Sequence, residues 1–285
     1  MRRIQVYVVL PPRLMLLDIA GPLEVLRRAN REQTSVHFEV RYVGVSPSIL
    51  TSIGLSVTSI DPLPSTLPDR AMIILAGDVD EVMMSGSQTY ADRSKTDNVH
   101  QAAVVEWLRA AVRPGHTLIS ICSGALMAAR AGLMDGYNCT THYACCEELA
   151  ALAPKAKVLD NRLYVEDGEC YSSAGITAGV DLMLHLVGQL TDESCAAAIA
   201  RYLVVYFRRT GADPQLSPWL EGRNHVHPVV HRVQDAITRN RKNLELKWAF
   251  ANRGREQSSS FAIVPRTRWH EHYGLQEPTS RHSGA

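Results

Sequence analysis

The chain has 285 residues, and its 30 lysines and arginines against 29 aspartates and glutamates leave a formal net charge of +1 at pH 7. So even a balance gives no global field for nucleic acid or an acidic lipid surface. Hydrophobic residues make up 46% and charged residues 21%, a globular composition in a chain long enough for one large or two ordinary domains.

The six cysteines contain no CxxC pair and do not read as a disulfide framework at this length. Adjacent Cys145 and Cys146 suit neither zinc nor a local bridge, so no metal site is expected. No apolar run reaches the roughly 18 residues of a membrane span. The opening MRRIQVYVVLPP stops at Pro11 and Pro12 without a small-residue cleavage site, which predicts a first strand rather than a signal peptide. The expected compartment is the reducing cytoplasm.

In chain order, Ile4–Leu10 predicts a buried strand. Asp18–Asn30, DIAGPLEVLRRAN, predicts a helix with Leu23, Val25 and Leu26 turned inward and Arg27 and Arg28 near its C-terminus, where cations suit the dipole. His37–Val43 alternates and predicts a second strand, and Leu55–Ile60 a short one before a Pro-rich loop. Ala71–Ala76, AMIILA, is a continuous apolar run closed by Gly77, the mark of a strand covered on both faces. Val99–Val112 sets Val104, Val105, Leu108 and Val112 on one helical side. Thr117–Ile121 predicts a strand followed by a helix rich in Ala and Leu. Lys157–Asp160, Leu163–Val165 and Cys170–Ser172 predict short strands with a turn at Asp167–Gly168, and Gly175–Leu190 and Asp192–Phe207 predict two helices. This alternation gives an α/β class, a doubly wound and mostly parallel sheet with helices on both faces. Ligands in such sheets bind at the carboxyl ends of the strands, where Cys122, Gly77 and the loop before Asp18 fall.

The segment His116–Gly136, HTLISICSGALMAARAGLMDG, carries the strongest chemical signal. A polar reactive side chain at a strand–helix junction, with Gly124 two residues later, follows the logic of a nucleophile elbow. The helix behind Cys122 aims N–H groups at the thiol, which makes it a candidate thiolate, while a small buried hydrophobe is the plainer role for a free cysteine. Asp18 is a candidate carboxyl partner for that thiol, or a simple N-cap. Ser123 offers a hydroxyl beside it, or a helix cap. The Gly77 N–H could share an oxyanion site with that of Ser123, or Gly77 could be a plain turn glycine. His142, in TTHY, could orient or activate the thiol, or be structural.

LDIAGPLEVL, the strand end at Gly77, SICSGALMAARAGLMDG, CTTHY and SSAGITAGVDLMLHL follow in an order that resembles the ThiJ/PfpI family, whose fold is that of class I glutamine amidotransferases. The resemblance covers roughly residues 4 to 207. It implies that Cys122 is the elbow cysteine and Asp18 its acidic partner. One branch, the isonitrile hydratases, adds water to an isonitrile to give an N-substituted formamide, and implies a catalytic set of Asp18, Cys122 and Ser123, with Thr the usual residue at the Ser123 position. The other branch fuses this domain to an AraC-type DNA-binding domain. RYLVVYFRRTGADPQLSPWLEGRNHVHPVVHRVQDAI resembles that junction. The regulator branch implies a small-molecule ligand, with Gly77, Asp78 and His142 as candidate ligand-site residues, together with DNA, a homodimer and no cofactor.

The expected organisation is an amidotransferase-like domain over 1–207, a Pro- and Gly-rich linker over 208–224, a first AraC-type helix over 225–240 and an irregular tail over 241–285. An AraC-type module needs on the order of 100 residues for two helix-turn-helix units. The pattern fades near Thr238–Leu244, which reads as a change of frame or a truncation and predicts no specific operator binding by this chain. Three functions follow in order: a ligand-sensing regulator, an enzyme of the isonitrile hydratase type, and an oxidation sensor using Cys122.

Overall fold

The computed structural model describes residues 1–83, 89–90, 95–205 and 208–216. The helix expected over 225–240 and the tail over 241–285 lie outside the described residues. The chain divides into two compact units, Met1–Glu221 and Gly222–Ala285, and the fold below is that of the first.

The elements run β1 (Arg2–Val9), β2 (Arg13–Leu14), α1 (Leu16–Glu32), β3 (Val36–Gly44), β4 (Ser48–Thr51), β5 (Ser56–Thr58), β6 (Asp61–Pro62), β7 (Met72–Leu75), β8 (Val82–Met83) and β9 (Thr89–Tyr90). They continue with α2 (Lys95–Ala111), β10 (Thr117–Ile121), α3 (Gly124–Arg130), β11 (Asn138–Cys139), a 3₁₀ turn at Tyr143–Cys145 and α4 (Cys146–Leu152). β12 (Lys157–Val158), β13 (Tyr164–Asp167), β14 (Cys170–Ser173), α5 (Ala178–Leu190) and α6 (Glu193–Tyr202) complete the unit.

The central sheet has seven strands in the order β13-β14-β10-β7-β1-β3-β6. All neighbours are parallel except the edge pair β13–β14. Side chains alternate across a strand, so β1 sends Ile4, Val6 and Val8 to one face and Tyr7 and Val9 to the other. The first face packs against α1, α5 and α6, whose Leu26, Leu182 and Ile199 are fully buried. The second packs against α2, α3 and α4 through Leu108, Met127 and Leu149. The expected doubly wound class is therefore observed. Strand order reverses between β1 and β7, and at such a reversal the loops leaving the strand ends part to form a crevice. The loops after β7 and β10 carry Gly77 and Cys122, and the first turn of α1 carries Asp18.

The differences from expectation are local. α1 starts at Leu16 with Met15 as its N-cap, so Asp18 is inside the first turn and caps nothing. α5 starts at Ala178 rather than Gly175, because Gly175 and Ile176 both take left-handed backbone, with φ of +83° and +52°. The strands β2, β4, β6, β8 and β9 were not read from sequence, since two to four residues carry too little periodicity. Residues 208–216, expected in a linker, are hydrogen-bonded to the domain: the Leu163 N–H donates to the carbonyls of Gly211 and Asp213, each at 3.2 Å. Among the described residues no helix is long and apolar enough to cross a membrane.

Ile74 lies in central β7 with no exposed surface, so Ile74→Ala should cost about 2–5 kcal/mol in urea unfolding. Leu55, 59% exposed, should change stability by no more than about 0.5 kcal/mol when cut to Ala. Comparable losses at both positions would contradict the layer assignment.

Candidate functional site

Cys122 leaves β10 with φ of +56°, a left-handed conformation that lifts the residue out of the sheet before α3 begins. Its N–H donates to the Ser173 carbonyl at 3.0 Å, which continues the pairing with β14. Two glycines make room for it. A Cβ on Gly175 would collide with the Cys122 Cβ and come within 2.8 Å of its Sγ. A Cβ on Gly77 would strike the Asp18 carboxylate and lie 3.0 Å from the Cys122 Cβ.

Asp18 is completely buried. Its Oδ1 accepts the Ile176 N–H at 2.6 Å and its Oδ2 accepts the Gly77 N–H at 3.2 Å. Burial pushes its pKa up to about 6, against the pull of these two N–H donors and the Cys122 thiol. Burial also pushes the Cys122 thiol far above its ordinary value, and the Asp18 charge adds to this, outweighing the Ser123 N–H. Burial and the neighbouring carboxylate thus oppose the lowering expected of a helix N-terminus. These directions favour an ionised Asp18 beside a protonated thiol at neutral pH.

Ser123 is the N-cap residue of α3, but its side chain makes no capping hydrogen bond. Its hydroxyl donates to the Asp78 carbonyl and accepts the Asp78 N–H, both at 2.9 Å, which clasps the loop after β7 to the elbow. The Asp78 carboxylate accepts from Gln101 on α2 at 3.1 Å. The Gly77 N–H is committed to Asp18, so the shared oxyanion site expected with Ser123 is not formed. His142 also departs from expectation. Its Nδ1 accepts the Ala144 N–H at 3.4 Å at the start of the 3₁₀ turn, and among the described residues no hydrogen bond joins it to Cys122. Burial lowers its pKa and favours the neutral ring.

The structure therefore brings together Asp18, Gly77, Asp78, Cys122 and Ser123 and gives His142 a turn-capping role. Sequence reading missed Gly175, Ile176 and Thr141. The Thr141 hydroxyl donates to the Cys122 carbonyl at 2.8 Å. The glycine of SSAGITAG, set between a strand and a helix, was the available signal for the second loop. Nothing in TTHY distinguishes Thr141 from its neighbour. Among the described residues no group of three His, Cys, Asp or Glu could hold a metal ion. Chemically, the site can present a neutral thiol with the Asp18 carboxylate beside it as a proton acceptor.

The DJ-1/PfpI family model matches residues 4–189. The chain belongs to the DJ-1/PfpI family. The ThiJ/PfpI resemblance read from the motifs is thereby borne out. Among DJ-1/PfpI relatives, the HTH-type transcriptional regulator GbdR of Pseudomonas aeruginosa is 28% identical over 231 residues, 81% of this chain and 58% of the relative. The chain thus spans a little over half the length of that regulator. The isonitrile hydratase of Pseudomonas putida is 26% identical over 196 residues, 69% of this chain and 76% of the relative. The crystal structure of a ThiJ/PfpI family protein from Pseudomonas syringae shares the fold, with a TM-score of 0.56 and 20% identity over 84% of this chain and 88% of that one.

Two outcomes check this geometry. Gly175→Ala combines an overpacked contact with a disfavoured φ and should cost about 3 kcal/mol or more in denaturant unfolding. A near-neutral Gly175→Ala would mean that the elbow has room to spare. Iodoacetamide should alkylate Cys122 at pH 7.5 at least tenfold more slowly than free cysteine, about one pKa unit of thiolate population. The rate should climb only toward the alkaline end, and Asp18→Asn should shift the profile to lower pH. Fast alkylation at pH 7.5, followed by peptide mass spectrometry, would contradict the protonated thiol.

Proposed function

We propose that this chain carries the ligand-sensing domain of an AraC-type transcriptional regulator, with a small molecule bound at the strand ends around Cys122. The observation that carries this reading is the extent of the likeness to GbdR. Its 231 aligned residues are more than the first 207 residues of this chain can hold, so the similarity runs past the domain into the junction. The isonitrile hydratase aligns over 196 residues. The site favours binding over turnover. The thiol is held protonated, the Gly77 N–H is spent on Asp18, and the Ser123 hydroxyl is spent on Asp78. In the full-length regulator the partner is DNA, bound as a homodimer in the cytoplasm.

A second reading rests on the intact set Asp18, Cys122 and Ser123 and on the likeness to an isonitrile hydratase. There Cys122 adds to the isonitrile carbon and its proton passes through Asp18 to that same carbon, giving a thioimidate; water then adds to the thioimidate carbon and its C–S bond breaks, which frees the thiol and leaves the N-substituted formamide.

One assay separates the two. The purified chain is incubated with cyclohexyl isocyanide and the N-formyl product is measured. The sensor reading expects no product above a Cys122→Ala control. Turnover on the order of 1 s⁻¹, at the low end of ordinary enzymes, would establish the hydratase instead.

A further inference from the structure

Beyond α6 the chain is fastened at two places, on α5 by Arg209 and on Thr141 by Gln215. After α6, Arg209 donates from Nε and Nη2 to Asp181 Oδ2 at 2.9 and 2.5 Å, and from Nη2 to the Thr177 hydroxyl at 2.9 Å. Asp181 is buried, and the Arg209 N–H also reaches its Oδ1 at 3.3 Å. This is a charge-assisted anchor on a buried carboxylate, set at the start of α5 just behind Ile176. Six residues later, Gln215 Nε2 donates to the Thr141 carbonyl at 2.8 Å, and the Gln215 N–H donates to Asn161 Oδ1 at 3.0 Å. Thr141 is the residue whose hydroxyl grips the Cys122 carbonyl.

The two ends differ in quality. Gln215 Oε1 is buried and has no hydrogen-bond partner among the described residues. A buried acceptor left unmet is penalised, and water removes that penalty when the contact opens. The Arg209 end is an anchor, whereas the Gln215 end is poised to let go. Cys122 itself cannot shift freely, because the absence of side chains at Gly77 and Gly175 is what admits it. Close-packed surroundings pass a displacement on rather than absorb it, and Thr141 is directly bonded to the elbow peptide.

We infer that Gln215 is a latch that holds the exit segment 208–216 against Thr141 and opens when the space beside Cys122 is filled. In sequence, Gln215 lies seven residues before Gly222, where the second compact unit begins. The inference rests on the ligand-sensing reading above and names the element through which occupancy is passed on. By linkage, the coupling acts in both directions.

The test uses the full chain, with carboxamidomethylation of Cys122 by iodoacetamide as the occupying group. A Cys122→Ser protein treated identically controls for the other cysteines. Amide hydrogen exchange is read at Gln215, with Arg209 as the internal reference. Modification of Cys122 should speed exchange at Gln215 at least fivefold, the low end of coupling between sites, and leave Arg209 unchanged. Reciprocally, Gln215→Ala should speed alkylation of Cys122 by at least fivefold. Thr141→Val, which keeps the carbonyl and loses the hydroxyl, should remove the effect of modification on Gln215 exchange. A change below fivefold in either the forward or the reciprocal measurement, or an undiminished response in Thr141→Val, overturns the latch. Neither readout involves DNA, a natural ligand or turnover, so failure of the latch is distinct from failure of the sensing reading.

Discussion

Asp18 is the point on which the rest of the site depends. Its two carboxylate oxygens accept N–H groups from residues 59 and 158 positions away in the chain. One side chain thereby ties together the loops after β1, β7 and β14, around the elbow that follows β10. A buried carboxylate is costly unless hydrogen-bonded, so these bonds are needed for its charge to exist there at all. Once present, that charge opposes a second negative charge on Cys122. The same interaction that assembles the site keeps its thiol protonated.

The helix pair behind the site explains two of the family motifs by packing. α1 and α5 cross closely enough that a Cβ on Gly21 would lie 2.7 Å from Val180 Cγ2. That approach brings the loop before α5 over the first turn of α1, where Ile176 meets Asp18. The left-handed φ of Ile176, unusual for a β-branched residue, is held by this bond and by the turn at Gly175. The sequences DIAGP and SSAGITAG are thus two halves of one contact, and the chemistry of Asp18 depends on the small residues beside it.

Much of this was legible in the sequence. AMIILA is a continuous apolar run, the mark of a strand covered on both faces, and TLISI is a short β-branched stretch ahead of a glycine-led helix, so β7 and β10 were placed within a residue. Cys122 was legible because a strand, one polar residue and a glycine-led helix leave little else for the junction to be. The protonation of the pair was not legible, since it comes from burial and from a contact between residues 104 positions apart in sequence. His142 misled for a similar reason: type alone suggests chemistry, whereas its local turn takes the ring nitrogen as a cap. The exit segment 208–216 has the composition of a linker, and only tertiary contacts at Arg209 and Gln215 reveal that it is fastened.

The most direct test of the account is an NMR titration of the Asp18 side-chain carboxyl carbon, followed together with the Gly77 and Ile176 amide protons. The account predicts a midpoint near 6, well above an ordinary aspartate, with both amides moving along the same curve. A midpoint at or below about 4, with the two amides indifferent to it, would contradict the claim that this buried carboxylate organises the site.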